Sequence, residues 1–260
     1  MHQRLWTEPY PHHVIFKWLL MAFIGGSVNA GGFMACKRFV THATGFYTLF
    51  GIEAAASDWR LGIGMLSVPV YFICGVMIAA YFTDAAITRG QQPRFGLVMG
   101  SVSLLLLIAA LGGYFQIFGT FGANFHIDQD YLLLIILSTA SGLANSAVTT
   151  ASGAVVRATH MTGITTDLGI GVMRALFGHS RSSHKAKEFY RNWLRLGALI
   201  AFALGSLVGA VLFGLAQYLG FLLPSLLAAY VGNVGVRAVQ VAVDGQATIL
   251  AGQQKGQETP

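Results

Sequence analysis

The chain has 260 residues, of which 55% are apolar and only 10% charged, with a mean hydropathy of +0.62. Such a composition excludes an ordinary soluble domain and places the chain in a bilayer. Its net charge of +6 sits in loops between apolar stretches, so it reads as membrane orientation and excludes nucleic acid as the partner.

Crossing about 30 Å of hydrocarbon takes about 20 helical residues, because unpaired peptide groups are too costly there. Six stretches meet that demand, near 14–33, 61–83, 95–115, 131–148, 193–218 and 221–236. They divide the chain into an N-terminal segment 1–13, a first membrane repeat 14–118, a linker 119–130, a second repeat 131–241 and a polar tail 242–260. The first apolar run is too long for a signal-peptide core and has no convincing cleavage site, so it is retained as a span. With the N-terminus inside, nine basic residues fall in the cytoplasmic loops: Arg89, Arg94, Arg157, Arg174, Arg181, Lys185, Lys187, Arg191 and Arg195. Only Lys37, Arg38 and Arg60 fall outside, and the linker carries Asp128 and Asp130. Both termini are then cytoplasmic. The four Trp residues, Trp6, Trp18, Trp59 and Trp193, lie near span ends as an interfacial belt.

The first span is glycine-rich and contains Asn29. Beyond it comes the pentapeptide Thr41-His42-Ala43-Thr44-Gly45, which returns as Thr159-His160-Met161-Thr162-Gly163, 118 residues later. The second copy follows Gly142-Leu143-Ala144-Asn145, so each copy is preceded by an Asn within an apolar stretch. Gly75 and Gly205 mark a further likeness between the second and fifth spans. An odd number of spans per half makes the second half enter from the opposite side, so the predicted architecture is an all-α polytopic membrane protein of two inverted three-span repeats. Inverted repeats offer two related packings around a shared central site.

The pentapeptide regions 39–52 and 156–176 are too polar or interrupted for full spans and too apolar for hydrated loops. They read as re-entrant or broken segments, since 14 helical residues reach only roughly 21 Å. Gly45 and Gly163 allow close backbone approach, and Thr44 and Thr162 are placed to cap a following half-helix. Such a half-helix aims its positive end into the protein, where an anion or polar solute binds. The expected binding residues are Asn29, Thr41, His42, Thr44, Gly45, Asn145, Thr159, His160, Thr162 and Gly163, the Asn and His side chains supplying donors, acceptors or a titrating group. Asp167 has Leu49 at the equivalent place, and an acidic group within a membrane segment marks it for proton or cation coupling. The bland readings stand beside these. Thr, Ser, Asn and Gly also glue membrane helices together, a His at a membrane edge is commonly a satisfied interfacial residue, and Asp167 has Arg157 and Arg174 within reach.

In the later spans Ala201, Gly205 and Gly209 recur every four residues, a face for close helix contact. The basic stretch Arg181-Ser182-Ser183-His184-Lys185 reads as a cytoplasmic loop. Cys36 and Cys74 lack any ligand spacing and read as small apolar residues, so no metal site is expected.

The glycine-rich span ending Asn29-Ala30, Thr44-Gly45, the stretch Gly142 to Asn145, and Arg157 followed by Thr162-Gly163 and Asp167-Leu168 together resemble the YoaK-type bacterial membrane proteins. These are built around a domain of unknown function and usually read as six membrane helices. The resemblance covers approximately 14–235 and implies a bacterial inner-membrane protein without naming a substrate. Two positions depart from that pattern, Asn29 where the family often has Asp and Phe46 where it has Asn, so the resemblance assigns the first half no ionic role.

The function expected from these features is a small-solute secondary transporter or permease binding a polar or anionic solute between the repeats, with lipid as surroundings, a homo-oligomer as a further partner state and no cofactor. An intramembrane enzyme using His160 and Asp167 is the first alternative. The chain carries no His-Glu-x-x-His, nucleophile-elbow, phosphate-loop or dinucleotide pattern, so no enzyme is expected. A structural or assembly protein is the second alternative, in which the Thr-Gly segments are satisfied by neighbouring backbone and enclose no polar cavity.

Overall fold

A computed structural model describes residues 10–177 and 182–233. Expectations placed on residues 1–9, Arg181, the side chains of 182–184 and everything from 234 to 260 lie outside the described residues. Among the described residues the chain is all helical. In order come α1 (His12–Cys36), α2 (Ala43–Ala55), α3 (Trp59–Phe82), α4 (Asp84–Thr88), α5 (Phe95–Tyr114), α6 (Ile127–Ala151), α7 (Met161–Phe177) and α8 (Ser182–Ala216). A 3-10 turn at Gln217–Phe221 leads into α9, described over 222–233.

Among the described residues five stretches are long and apolar enough to cross a membrane: His12–Cys36, Trp59–Thr88, Phe95–Tyr114, Ile127–Ala151 and Lys185–Asn233. The expected count was six, because the last stretch reads as two spans. The chain does bend there, with Gln217 at φ 49°, and α9 then runs back along α5. Tyr218 covers Gly113, Ser225 Oγ donates to the Ser103 carbonyl at 2.8 Å, and Gly232 reaches Met99 and the Gly96 carbonyl. The 12 described residues of α9 reach only roughly 18 Å, which is why they do not qualify alone.

The closest packing joins elements from different halves of the sequence. α1 runs parallel to α8, and α3 runs parallel to α6. In each pair, glycines bring two backbones together, the arrangement that replaces hydrophobic driving force between helices in lipid. A Cβ on Gly26 would stand 2.0 Å from the Phe202 carbonyl oxygen and 3.0 Å from the Ser206 nitrogen; on Gly205 it would stand 2.0 Å from the Phe23 oxygen. In the other pair, Gly142 meets the Phe72 oxygen at 2.2 Å and the Val76 nitrogen at 3.1 Å, and Gly75 meets the Thr139 oxygen at 2.3 Å. Each partner in the first set has its counterpart at a constant spacing: Phe23 and Gly26 stand 116 positions before Thr139 and Gly142, and Phe72, Gly75 and Val76 stand 130 before Phe202, Gly205 and Ser206. Gly209, on the same face of α8 as Gly205, rests 3.0 Å from the Ser27 Cα by the same measure.

α1 and α6 are the most deeply buried of the long helices, while α2 packs mainly on α3 and α7 mainly on α8. Trp59 and Trp193 stand exposed, and Trp18 is buried against Tyr10. The expected linker 119–130 ends earlier than supposed, since α6 begins at Ile127. Asp130 is therefore a first-turn helix residue, only 3% exposed, whose Oδ2 accepts from the His126 N–H at 2.9 Å.

Candidate functional site

The two pentapeptides are held by matching sets of contacts. In the first copy the chain leaves α1 at Lys37, left-handed at φ 56°, and doubles back along the helix it has just left. Val40 lies on Gly32, and Thr41 then reaches Asn29, a further three residues down α1. Asn29 Oδ1 accepts from the Thr41 N–H at 3.3 Å and from its hydroxyl at 2.9 Å. In the second copy Asn145 Oδ1 accepts from the Thr159 N–H, also at 3.3 Å. Thr41 and Thr159 are both buried. An unpaired N–H at such a place costs about 1–3 kcal/mol, so each Asn side chain supplies what the returning backbone lacks.

The His and Gly of each pentapeptide also form a unit. His42 is the N-cap of α2, and its Nδ1 accepts from the Gly45 N–H at 3.2 Å. A Cβ on Gly45 would lie 2.5 Å from the imidazole Cε1. In the second copy the His160 Cε1 and Nδ1 lie 2.6 and 2.7 Å from the place a Gly163 Cβ would take, and Arg157 Nη1 hydrogen-bonds to Nδ1. The glycines thus admit an imidazole ring over the first turn of a helix, where sequence reasoning expected close backbone approach. Thr44 and Thr162 are not caps either. They lie inside α2 and α7, where their carbonyls accept from the hydroxyls of Thr48 at 3.1 Å and Thr166 at 3.0 Å. A histidine caps as an oxygen would, because its neutral ring presents one acceptor nitrogen.

Both His side chains keep much of their surface open. The Phe39 ring, 5.7 Å from that of His42, and the start of α2 remove enough water to push the His42 imidazole below its ordinary value.

The copies converge on one face of α1. Thr41 is tied to Asn29, and Gly25, one turn below, would place a Cβ 2.4 Å from the Ala158 oxygen and 3.2 Å from the Thr159 Cγ2. Residues four apart share a helix face, so the starts of α2 and α7 both arrive within one turn of α1. Asn29 and Asn145 are half-buried there, and among the described residues neither Nδ2 has a hydrogen-bond acceptor. Asp167 lies apart, half-buried two turns along α7. Among the described residues it makes no ion pair, and Arg157, one of its two expected partners, turns to His160 instead.

Two cavities lie at turns away from the pentapeptides. One of about 630 Å³ is bounded by the α3 to α5 connection, and one of about 770 Å³ lies between 113–121 and 214–219. Sequence reasoning set Arg157 beside Asp167 and missed its place on His160, for which the signal is a basic residue one turn before that His.

A family model described as "Protein of unknown function (DUF1275)" matches residues 18–234. The chain belongs to the DUF1275 family. The DUF1275 stretch contains both pentapeptides, both Asn residues, Asp167 and all of α2 to α8, and the family description names no activity. Neither a curated protein nor a solved structure matches the chain.

Proposed function

We propose that this DUF1275 chain, which is similar to YoaK-type proteins, is a small-solute secondary transporter or permease of the bacterial inner membrane, with both termini cytoplasmic. The solute is polar or anionic and binds where α2 and α7 begin. In this reading the two pentapeptide segments are re-entrant, the halves are an inverted repeat, α9 completes a sixth crossing, and no cofactor or covalent chemistry is involved.

The convergence of the α2 and α7 starts on one turn of α1 carries the proposal. Two helix N-termini directed to one place sum their positive ends, and the spare Nδ2 groups of Asn29 and Asn145 add donors without a fixed charge. The constant spacings of 116 and 130 between the two glycine contact sets support the repeat. Parallel packing of α1 on α8 and of α3 on α6 supports the inversion, because it pairs the first span of each half with the second span of the other, and these run the same way only if the halves enter from opposite sides. Asp167, without a charged partner among the described residues, suits proton coupling.

The test is uptake of labelled phosphate, sulfate and lactate into sealed proteoliposomes, with and without a proton gradient. The expected result is gradient-driven uptake of at least one of these anions that Asn29→Ala with Asn145→Ala reduces about tenfold or more, while Asp167→Asn removes the dependence on the gradient. An anion carried equally well by all variants overturns the site.

One observation favours a second reading, a membrane assembly protein without transport. The Asn oxygens and the His42 ring nitrogen are spent on backbone N–H groups, which is what pure packing demands. Proteoliposomes that move none of the three anions, together with a dimer or larger complex in native membranes, would establish that reading instead.

A further inference from the structure

The connection between α3 and α5 is a short, built loop rather than a slack one. α4 ends in a left-handed Gly90 at φ 69°, the Gln91 N–H returns to the Ala86 carbonyl at 2.8 Å, and the Arg94 N–H closes on the Phe82 carbonyl at 2.8 Å. This loop borders an open cleft of about 630 Å³. Its polar wall consists of Arg89, Gln91, Gln92 and Arg94, with no acidic residue among its lining groups.

The two guanidinium groups differ in how they are held. Arg89 lies over the Tyr81 ring, 4.8 Å from its centroid, and Nη2 donates to the Tyr81 carbonyl at 3.2 Å. That fixes the plane of the group and leaves its remaining donors free. Arg94 makes no ion pair and no side-chain hydrogen bond among the described residues, and its backbone is pinned at the mouth of α5. Two exposed charges of one sign bordering one cleft without a counter-ion leave a net positive field there, screened by salt. Arg is the side chain whose fork matches phosphate oxygens two at a time. The N–H groups at the start of α5, which no side chain caps, open beside Gly96 in the same cavity and add to that field.

We propose that this cavity is a binding site for a phosphate-bearing anion, and that the anion is the headgroup of an anionic phospholipid. The level of the site argues for the lipid source. The apolar run of α3 ends at Phe82 and that of α5 begins at Phe95, so the cavity lies where hydrocarbon gives way to headgroups. Tyr81 and Leu97, exposed on the two spans beside the mouth, offer an apolar surface for acyl chains. This site is separate from the convergence of α2 and α7 and stands whether or not the chain transports a solute.

The experiment uses the full chain in a neutral detergent and follows its thermal midpoint with dihexanoyl phosphatidylglycerol, dihexanoyl phosphatidylcholine or inorganic phosphate at constant ionic strength, since ligand binding to the folded state raises the midpoint. The expected result is a saturable rise with the phosphatidylglycerol, little or none with the phosphatidylcholine, and weakening at high salt. In Arg89→Gln with Arg94→Gln the apparent dissociation constant should rise about tenfold or more. A rise with inorganic phosphate matching that with phosphatidylglycerol keeps the anion site and overturns the lipid source. Equal rises with all three ligands, or a phosphatidylglycerol effect unchanged in the double variant, overturn the proposal. Arg94→Lys, which keeps the charge, guards against misfolding: it should retain part of the effect, and loss of the effect in Arg94→Lys with an unchanged ligand-free midpoint also counts against a charge-based site.

Discussion

At the residue scale the repeated pentapeptide is a pair of reciprocal fits, an Asn oxygen for a Thr N–H and a Gly for a His ring. Each fit is fragile in a definable way. Gly45→Ala would place a methyl group 2.5 Å from the His42 ring, so the ring must leave and the cap is lost, at a cost of about 1 kcal/mol in a denaturation series. Asn145→Ala removes the acceptor for a buried N–H and should cost about 1–3 kcal/mol, with Asn145→Asp recovering part of it. The cap also sets a pH dependence. Burial lowers the His42 pKa in the folded chain, so the unfolded chain binds the proton more readily, and stability rises with pH across that window. The contribution is complete above the ordinary histidine value of about 6.5 and is lost as pH falls through the lower folded value. Thermal midpoints in detergent should therefore drop between pH 7.5 and pH 5 in the parent, and drop less in His42→Asn, which caps without titrating. An identical pH profile in both would remove His42 from the account. The repeat itself was legible in the sequence, because two copies of a polar phrase between apolar stretches are hard to miss. What those residues bind was not legible, since backbone N–H groups and solutes draw on the same donors and acceptors.

At the scale of elements, glycine contacts decide which helices meet. Composition and hydropathy located α1, α3, α5 and α6 to within about four residues, because an apolar run long enough to cross needs no tertiary information, but α8 begins at Ser182, well before the expected 193, since its first turns are polar. Partner choice is another matter. Gly75 and Gly142 are 67 positions apart, and only the fold shows each against the other's helix. Gly26→Ala and Gly142→Ala each drive a methyl group into a carbonyl oxygen, Phe202 in one case and Phe72 in the other. Backbone cannot rotate away as a side chain can, so each should destabilise by about 1–3 kcal/mol, and by similar amounts because the contacts match. Gly51→Ala, with nothing within 4 Å of its Cβ, should be neutral or slightly stabilising, as alanine in an exposed helical turn is. If Gly26→Ala and Gly142→Ala unfold no more readily than Gly51→Ala, close backbone packing does not hold these pairs. The 3-10 turn at Gln217–Phe221 falls at the gap between the expected stretches 193–218 and 221–236, so the break was legible in the sequence while the run of α9 along α5 was not.

At the scale of the molecule, the helices sort into two interlaced groups built on α3 with α6 and on α1 with α8, each drawing on both halves of the sequence, while α5 packs on α6 and α9 lies against α5. Within each of these pairs, backbones touch; between the pairs the contacts are fewer, at α1 with α6. Packed cores move as units while sparse interfaces slide, so exchange between two membrane-facing states should move one group against the other. The sequence halves gave no hint of this grouping, because a repeat boundary follows chain order and packing does not. Spin labels test the idea without knowledge of the solute. Val70 on α3 and Leu207 on α8 are both exposed and belong to different groups. Labels introduced by Val70→Cys and Leu207→Cys, in a chain also carrying Cys36→Ala and Cys74→Ala, should give two distance populations in proteoliposomes. A pair within one group, Val70→Cys with Leu132→Cys on α6, should give one. A single shared distance for the first pair, unaltered by a proton gradient, would mean that the groups are one rigid body, and alternating access would have no moving part to act through.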